Sequence, residues 1–316
     1  MWTSVAFALA AGMMWGIVFV GPLLFPDYPP ALHAIGRYLA FGLLAVPLAL
    51  LDRAGLRKLS RADWLEALRL SAIGNFIYYL CLASALQRAG GPLTTMIIGT
   101  LPASIAICAN LRDHRRDGRL PWLRLAPSLL LIGAGIVCVN QAELGLTGHA
   151  DLARHLSGIV LAVVAVACWT WYALRNADWL RQHAGRNPRA WATAQGLATL
   201  PMALAGYAVF VACVEGGAFA YPLPLGPRPL AFLGLVASIA LLASWLGTLC
   251  WNEASQRLPT ALAGQLLVFE TLAGLAYTFL LRGAWPPATT LAGIGLLVGG
   301  VLWALRVKPI STLVAA

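Results

Sequence analysis

Glu270 stands eleven residues into an apolar stretch that runs from Thr260 to Leu281. At about 1.5 Å per residue it lies about 16 Å down, near the middle of a hydrocarbon layer about 30 Å thick. A central acid costs about 2.5 to 3.5 kcal/mol to insert, so its presence asks for a reason. Four readings are open: a carboxyl whose protonation is coupled to transport, a partner for a substrate ammonium, a neutral hydrogen-bonded tie between helices, or one half of an ion pair with Arg37. Arg37 and His33 lie four apart in a second apolar stretch, on one helix face. A guanidinium there can receive a carboxylate bidentately. At a depth of about 10 Å it can also snorkel to the interface, and the structural alternatives, snorkelling or an ion pair, are favoured by that depth. His33, near the start of its stretch, reads as interfacial.

Aromatic and hydroxyl side chains fall at similar depths. Tyr78, Tyr79, Met96, Thr100, Trp169, Ser244, Trp245 and Gln265 form the candidate wall of a substrate pocket, since small organic solutes take apolar pockets with a few polar groups. Trp171 and Tyr172, near a stretch end, fit an interfacial aromatic belt as well. No catalytic residue is assigned. The chain has no G-x-x-x-x-G-K-[ST], no H-E-x-x-H and no G-x-S-x-G. His149 and His155 have no third ligand nearby, and the six cysteines include no C-x-x-C, so neither a metal nor another cofactor is expected. The cysteines read as free packing residues.

The elements that must position these groups are apolar stretches long enough to span a bilayer. Ten are expected: Trp2–Leu24, Pro30–Leu51, Arg69–Leu86, Leu93–Ala109, Trp122–Val139, Ser157–Leu174, Ala190–Cys213, Leu230–Trp251, Thr260–Leu281 and Ala288–Leu305. The first has no basic leader and reads as a retained helix. With 60% apolar and 11% charged residues, this is an all-α integral membrane protein. The formal charge of +10 sits mainly in alternate loops. Arg53, Arg57, Lys58, Arg61 and Arg69 follow the second stretch, and Arg112, Arg115, Arg116, Arg119 and Arg124 the fourth. Arg175, Arg181, Arg186 and Arg189 follow the sixth, Arg257 the eighth, and Arg306 and Lys308 the last. The opposite loops hold Arg88, Arg154, Arg228 and Arg282. Basic loops stay cytoplasmic, which places both termini inside. Membrane lipid is then the partner of this charge, and nucleic acid is excluded for want of a soluble basic domain.

Two halves are visible. Leu80-Cys81-Leu-Ala-Ser-Ala85-Leu-Gln87-Arg88 reads against Leu249-Cys250-Trp-Asn-Glu-Ala254-Ser-Gln256-Arg257 at a constant offset, and Trp15 reads against Trp169. The expected units are residues 1–145 and 146–316, five helices each. Five is odd, so the second copy must be inverted, the arrangement from which many secondary transporters build alternating access. Glycine spacings such as Gly295 with Gly299 read as helix-packing motifs.

Several segments carry a family resemblance: Trp15-Gly16, Leu32-His-Ala-Ile-Gly-Arg37-Tyr-Leu-Ala, Ala85-Leu-Gln-Arg-Ala-Gly-Gly-Pro92, Ala254-Ser-Gln-Arg-Leu-Pro259-Thr-Ala and Phe269-Glu270-Thr271. With these the chain resembles the drug/metabolite transporter (DMT) superfamily with paired EamA-type repeats, and most of all the YddG-type exporters of aromatic and neutral amino acids. Thr271 stands where that family commonly has a proline. The resemblance implies no enzyme but a secondary transporter of the bacterial inner membrane. It would export small neutral or zwitterionic metabolites, amino acids foremost, with protons as the candidate coupling partner. A drug or nucleotide-sugar carrier of the same fold is the alternative, although a nucleotide sugar would want more buried cations than Arg37. An intramembrane lipid-modifying enzyme or a passive channel is the alternative of another class.

Overall fold

The computed structural model describes residues 2–117, 122–147, 152–183, 187–257 and 268–307. Every regular element among them is helical. Hydrocarbon offers no partner to a backbone N–H or C=O, so an apolar chain closes those bonds within each segment. Helix α1 runs Trp2–Gly16 and continues through a tight turn, Ile17–Phe19, into Gly21–Leu24; α2 is Pro30–Leu51. Helix α3 is Arg61–Ala89, and α4 is broken into Gly91–Ile98 and Leu101–Asp117. Then come α5 (Trp122–Thr147), α6 (Leu152–Gln182), α7 (Pro188–Glu215), α8 (Pro229–Arg257, in three consecutive segments), α9 (from Val268 to Arg282) and α10 (Ala288–Arg306).

Seven of these helices are long and apolar enough to cross a membrane, and Ala288–Ala304 is a shorter apolar helix. The chain is therefore a multi-pass membrane protein. Several expected boundaries move. The third stretch begins at Arg61 instead of Arg69, because Ser60 and Asp63 form a capping box that satisfies the first orphan N–H groups. The sixth extends at both ends, to Leu152 and Gln182. The fourth is interrupted where Gly99 ends one piece, Thr100 turns its hydroxyl onto the Ile97 carbonyl at 2.7 Å, and Pro102 lacks an N–H to continue the ladder. Gly90, at φ 84°, makes the corner between α3 and α4, a conformation that side-chain-bearing residues avoid.

Two helices carry the same internal irregularity. A seven-residue π-helical turn occupies Ser71–Ile77 in α3 and another occupies Ala240–Leu246 in α8. Ala240 follows Ser71 by the same 169 positions that separate Cys250 from Cys81. Packing has a matching regularity. Helix α2 lies along α7 and α5 along α10, while α1 packs on α8 and α9, and α6 packs on α3 and α4. Exchanging each helix for the one five places away carries this set of pairs onto itself.

The α5–α10 contact corrects the glycine reading. A methyl group at Gly295 or Gly299 would meet nothing within 4 Å. The close approaches are at Gly293, where it would stand 2.7 Å from the Gly135 carbonyl oxygen, and at Gly300, 2.8 Å from that of Ser128. These two lie seven apart, so they share the face turned to α5. We therefore expect Gly300→Leu to lower thermal stability by about 1 to 3 kcal/mol through overpacking, whereas Gly295→Leu leaves the melting temperature of the detergent-purified protein unchanged.

Candidate functional site

Arg37 is the centre of the candidate site. Helix α2 carries it into a buried cluster instead of toward the interface, and only 8% of the residue is exposed. Its Nε–H donates to the Ser244 hydroxyl at 3.2 Å, and its guanidinium carbon lies 4.3 Å from the Tyr79 ring centroid and 5.2 Å from that of Tyr38. Nη1 is buried without a hydrogen-bond partner, and so is the Tyr79 hydroxyl. That hydroxyl stands beside the guanidinium but outside hydrogen-bonding geometry. Among the described residues no carboxylate lies within 4.0 Å of Arg37, so both structural expectations, snorkelling and an ion pair with Glu270, give way.

Ser244 lies in the π-helical turn of α8, and Tyr78 and Tyr79 directly follow the one in α3. A π turn disturbs the regular ladder and re-aims the side chains around it. Trp15 answers the disturbance in α8: its indole N–H donates to the Ala243 carbonyl at 2.9 Å. Tyr78, Tyr79, Ile98 and Leu101 belong to one apolar cluster, with Trp15, Trp169 and Trp245 packed against it. Tyr78 is within electrostatic reach of both Arg37 and Glu270.

Glu270 is half-buried and borders a second locus. With Trp169, Ile98, Leu101, Pro102 and Thr271 it lines a narrow crevice. Another narrow crevice brings Ser244, Trp245 and Thr248 against Phe41, Arg189 and Thr193. The expected pocket wall is thus divided. Tyr78, Tyr79 and Ser244 gather at Arg37, Trp169 sits with Glu270, and Trp245 lines the Arg189 crevice. Met96 is fully buried in a different cluster with Leu93, Val268 and Leu297, and Thr100 caps the break in α4. Gln265 lies outside the described residues. His33 is buried, 3.1 Å from the Phe25 carbonyl oxygen and edge-on to Tyr28 and Phe232.

Both ends of α2, about 33 Å apart, are closed by interactions that the sequence does not show. At its start, Tyr28 stacks on Phe232 with centroids 4.1 Å apart, and the Arg228 guanidinium holds Asp27 through two nitrogens and covers Phe25 at 4.5 Å. Arg228 holds the Asp27 carboxyl below the usual carboxylate range. The pair therefore persists at neutral pH and is lost only as pH falls through that lowered value. At its other end, Trp179 stacks on Trp191 at 3.6 Å and donates its indole N–H to Asp63 at 2.9 Å, with His183 3.5 Å from the same carboxylate oxygen. Asp52, buried, accepts from Arg189 and Thr193 at 2.6 Å each. Tyr172, expected in the interfacial belt, donates to Gln195 at 2.9 Å. The signals for these networks were acidic residues at stretch ends, Asp27, Asp52 and Asp63, each facing a basic or aromatic residue far away in sequence.

A family model described as the EamA-like transporter family matches residues 2–141. Over 309 residues the chain is 58% identical to "Inner membrane protein YtfF" of Escherichia coli (strain K12), covering 97% of this chain and 96% of that protein. The chain belongs to the EamA-like transporter family. It shares its fold with a solved protein whose crystal structure superposes with a TM-score of 0.62 at 16% identity, covering 95% of this chain and 96% of the other. Membership implies a small-molecule substrate.

Asp63 serves both the α3 cap and Trp179, whereas Glu66 pairs with the half-exposed Arg175. We expect Asp63→Ala to lower stability by about 2 to 3 kcal/mol, the sum of a lost cap and an orphaned indole. Glu66→Ala should stay within about 1 kcal/mol. Thermal unfolding of the two variants side by side tests the difference.

Proposed function

We propose that this protein is a secondary transporter that exports small neutral or zwitterionic metabolites, aromatic and neutral amino acids foremost, by alternating access between two inverted five-helix repeats, residues 1–145 and 146–316. Ten membrane passes with both termini cytoplasmic complete this reading. The observation that carries it is the pair of separate closures at opposite ends of α2, with the Arg37 centre shut between them. A carrier must be able to close each side independently, whereas a channel needs one continuous path. The paired π turns, the helix packing that maps onto itself after five places and the alternation of basic loops all support the two repeats. In this orientation Tyr28, Phe232 and the Asp27–Arg228 pair form the outer closure. Trp179, Trp191, Asp63 and the Asp52–Arg189 pair form the inner one.

Substrate contacts on this reading come from Tyr78, Tyr79, Trp169, Ser244 and Trp245, with Met96, Thr100 and Gln265 as the remaining members of the wall. Glu270, near the crevice beside Trp169, is the group whose proton would be coupled to flux. Its separation from Arg37 favours an independent role over a structural ion pair.

The deciding experiment is flux in proteoliposomes over a panel of amino acids and amphipathic drugs, with and without a pH gradient. Saturable, exchangeable flux supports a carrier; leak independent of solute sinks it. Tyr78→Ala and Trp169→Ala should each reduce flux about tenfold or more while the protein remains folded, and unchanged flux in both removes them from the site. Glu270→Gln should abolish the response to the pH gradient and leave solute exchange; a wild-type response rules out coupling. In a background without the native cysteines, Gly118→Cys should be labelled only from the cytoplasm and Gly148→Cys only from outside, and the reverse pattern overturns the orientation.

A further inference from the structure

We infer that Arg37, with the Tyr79 hydroxyl beside it and Ser244 behind it, forms the subsite that receives the carboxylate of the transported solute. This rests on the transport reading above and narrows its substrates to singly charged carboxylates, amino acids among them, against the corresponding amides, amines and sugars.

A guanidinium has five N–H donors in a fixed plane. Among the described residues only the Nε–H of Arg37 has a hydrogen-bond acceptor, and Nη1 is buried without one. Tyr38 and Tyr79 approach the guanidinium with their rings. Such contacts hold a cation through its face and leave the N–H edge free. That edge is what a carboxylate engages with two parallel bonds. The Tyr79 hydroxyl, also buried and unpartnered, is a third donor at the same place. Unpartnered donors on a positive charge inside an apolar cluster make a poor structural tie, because among the described residues no carboxylate lies within ion-pair distance of the guanidinium. They make a good receptor for an anion that arrives with the substrate. One guanidinium without a second cation bound to the same group suits a monoanion better than a phosphate.

The flanking helices fit a site that must open and close. Ser244 lies in the π turn of α8, and Tyr79 begins two residues after the π turn of α3. Shifting either turn by one residue would re-aim a substrate-facing group without unwinding its helix, and π turns are frequent at functional sites for this reason.

The test uses the full-length protein in proteoliposomes and matched probes: L-phenylalanine against L-phenylalaninamide, and benzoate against benzamide. Wild type should move the acids at least tenfold faster than the amides. Arg37→Gln should lose that preference, Arg37→Lys should retain part of it, and Tyr79→Phe should raise the KM for the acids several-fold while keeping the wild-type melting temperature. Equal transport of acids and amides by wild type, or an acid preference that survives Arg37→Gln, overturns the subsite while leaving the transporter reading intact. If wild type moves none of the four, the transport reading fails for these solutes, and binding then decides the subsite by itself. A rise in melting temperature with sodium benzoate in wild type and Glu66→Ala but not in Arg37→Gln supports it, whereas no rise in wild type, or an equal rise in Arg37→Gln, overturns it.

Discussion

The guanidinium of Arg37 sits where hydrocarbon offers it nothing, and the packing around it is organised by that fact. Tyrosine rings lie against it, a serine from another helix takes one N–H, and Nη1 is buried without a partner. A charged group so placed tolerates neither lipid nor a loosely packed neighbour. Helices α1 and α2 pack closely on α8 around it, and the residues at those contacts, Gly21, Gly36 and Gly247, have no room for a side chain: an added methyl group at each would stand 3.0 Å or less from Ile239, Val236 or Trp15.

The same shortage of water explains the irregular backbone. A break in α4 and the π turn of α8 leave main-chain groups without their ordinary helical partners, and side chains compensate: Thr100 bonds back to the Ile97 carbonyl, and Trp15 reaches the Ala243 carbonyl. Irregular main chain at membrane depth is tolerated where it is buried in protein or faces a cavity. Here it surrounds the cluster that carries Arg37, Tyr78 and Tyr79.

Closure at the two ends uses different chemistry at similar positions. One end relies on an aromatic stack with an exposed ion pair, which contributes little by itself and is readily broken. The other buries two aspartates, Asp52 and Asp63, each held by charge-assisted or indole hydrogen bonds that are stronger when dry. On these contacts alone, the end at Tyr28 is the easier one to open.

Much of this architecture was legible in the chain itself. Apolar length and loop charge announce a helical membrane protein, because insertion depends on composition summed over a segment and not on any partner. The offset between Cys81 and Cys250 was readable in the chain, and the two π turns stand at the same offset. Arg37 and Glu270 were visible as costly residues at depth. Their roles were not, since whether a buried charge snorkels, pairs or waits for a ligand depends on which helices surround it. The same limit hid the aromatic surroundings of His33, which packs against Tyr28 and Phe232, and Gly293 and Gly300, which make the close contact that Gly295 and Gly299 do not. Periodicity tells which residues share a face; only tertiary packing decides what that face meets.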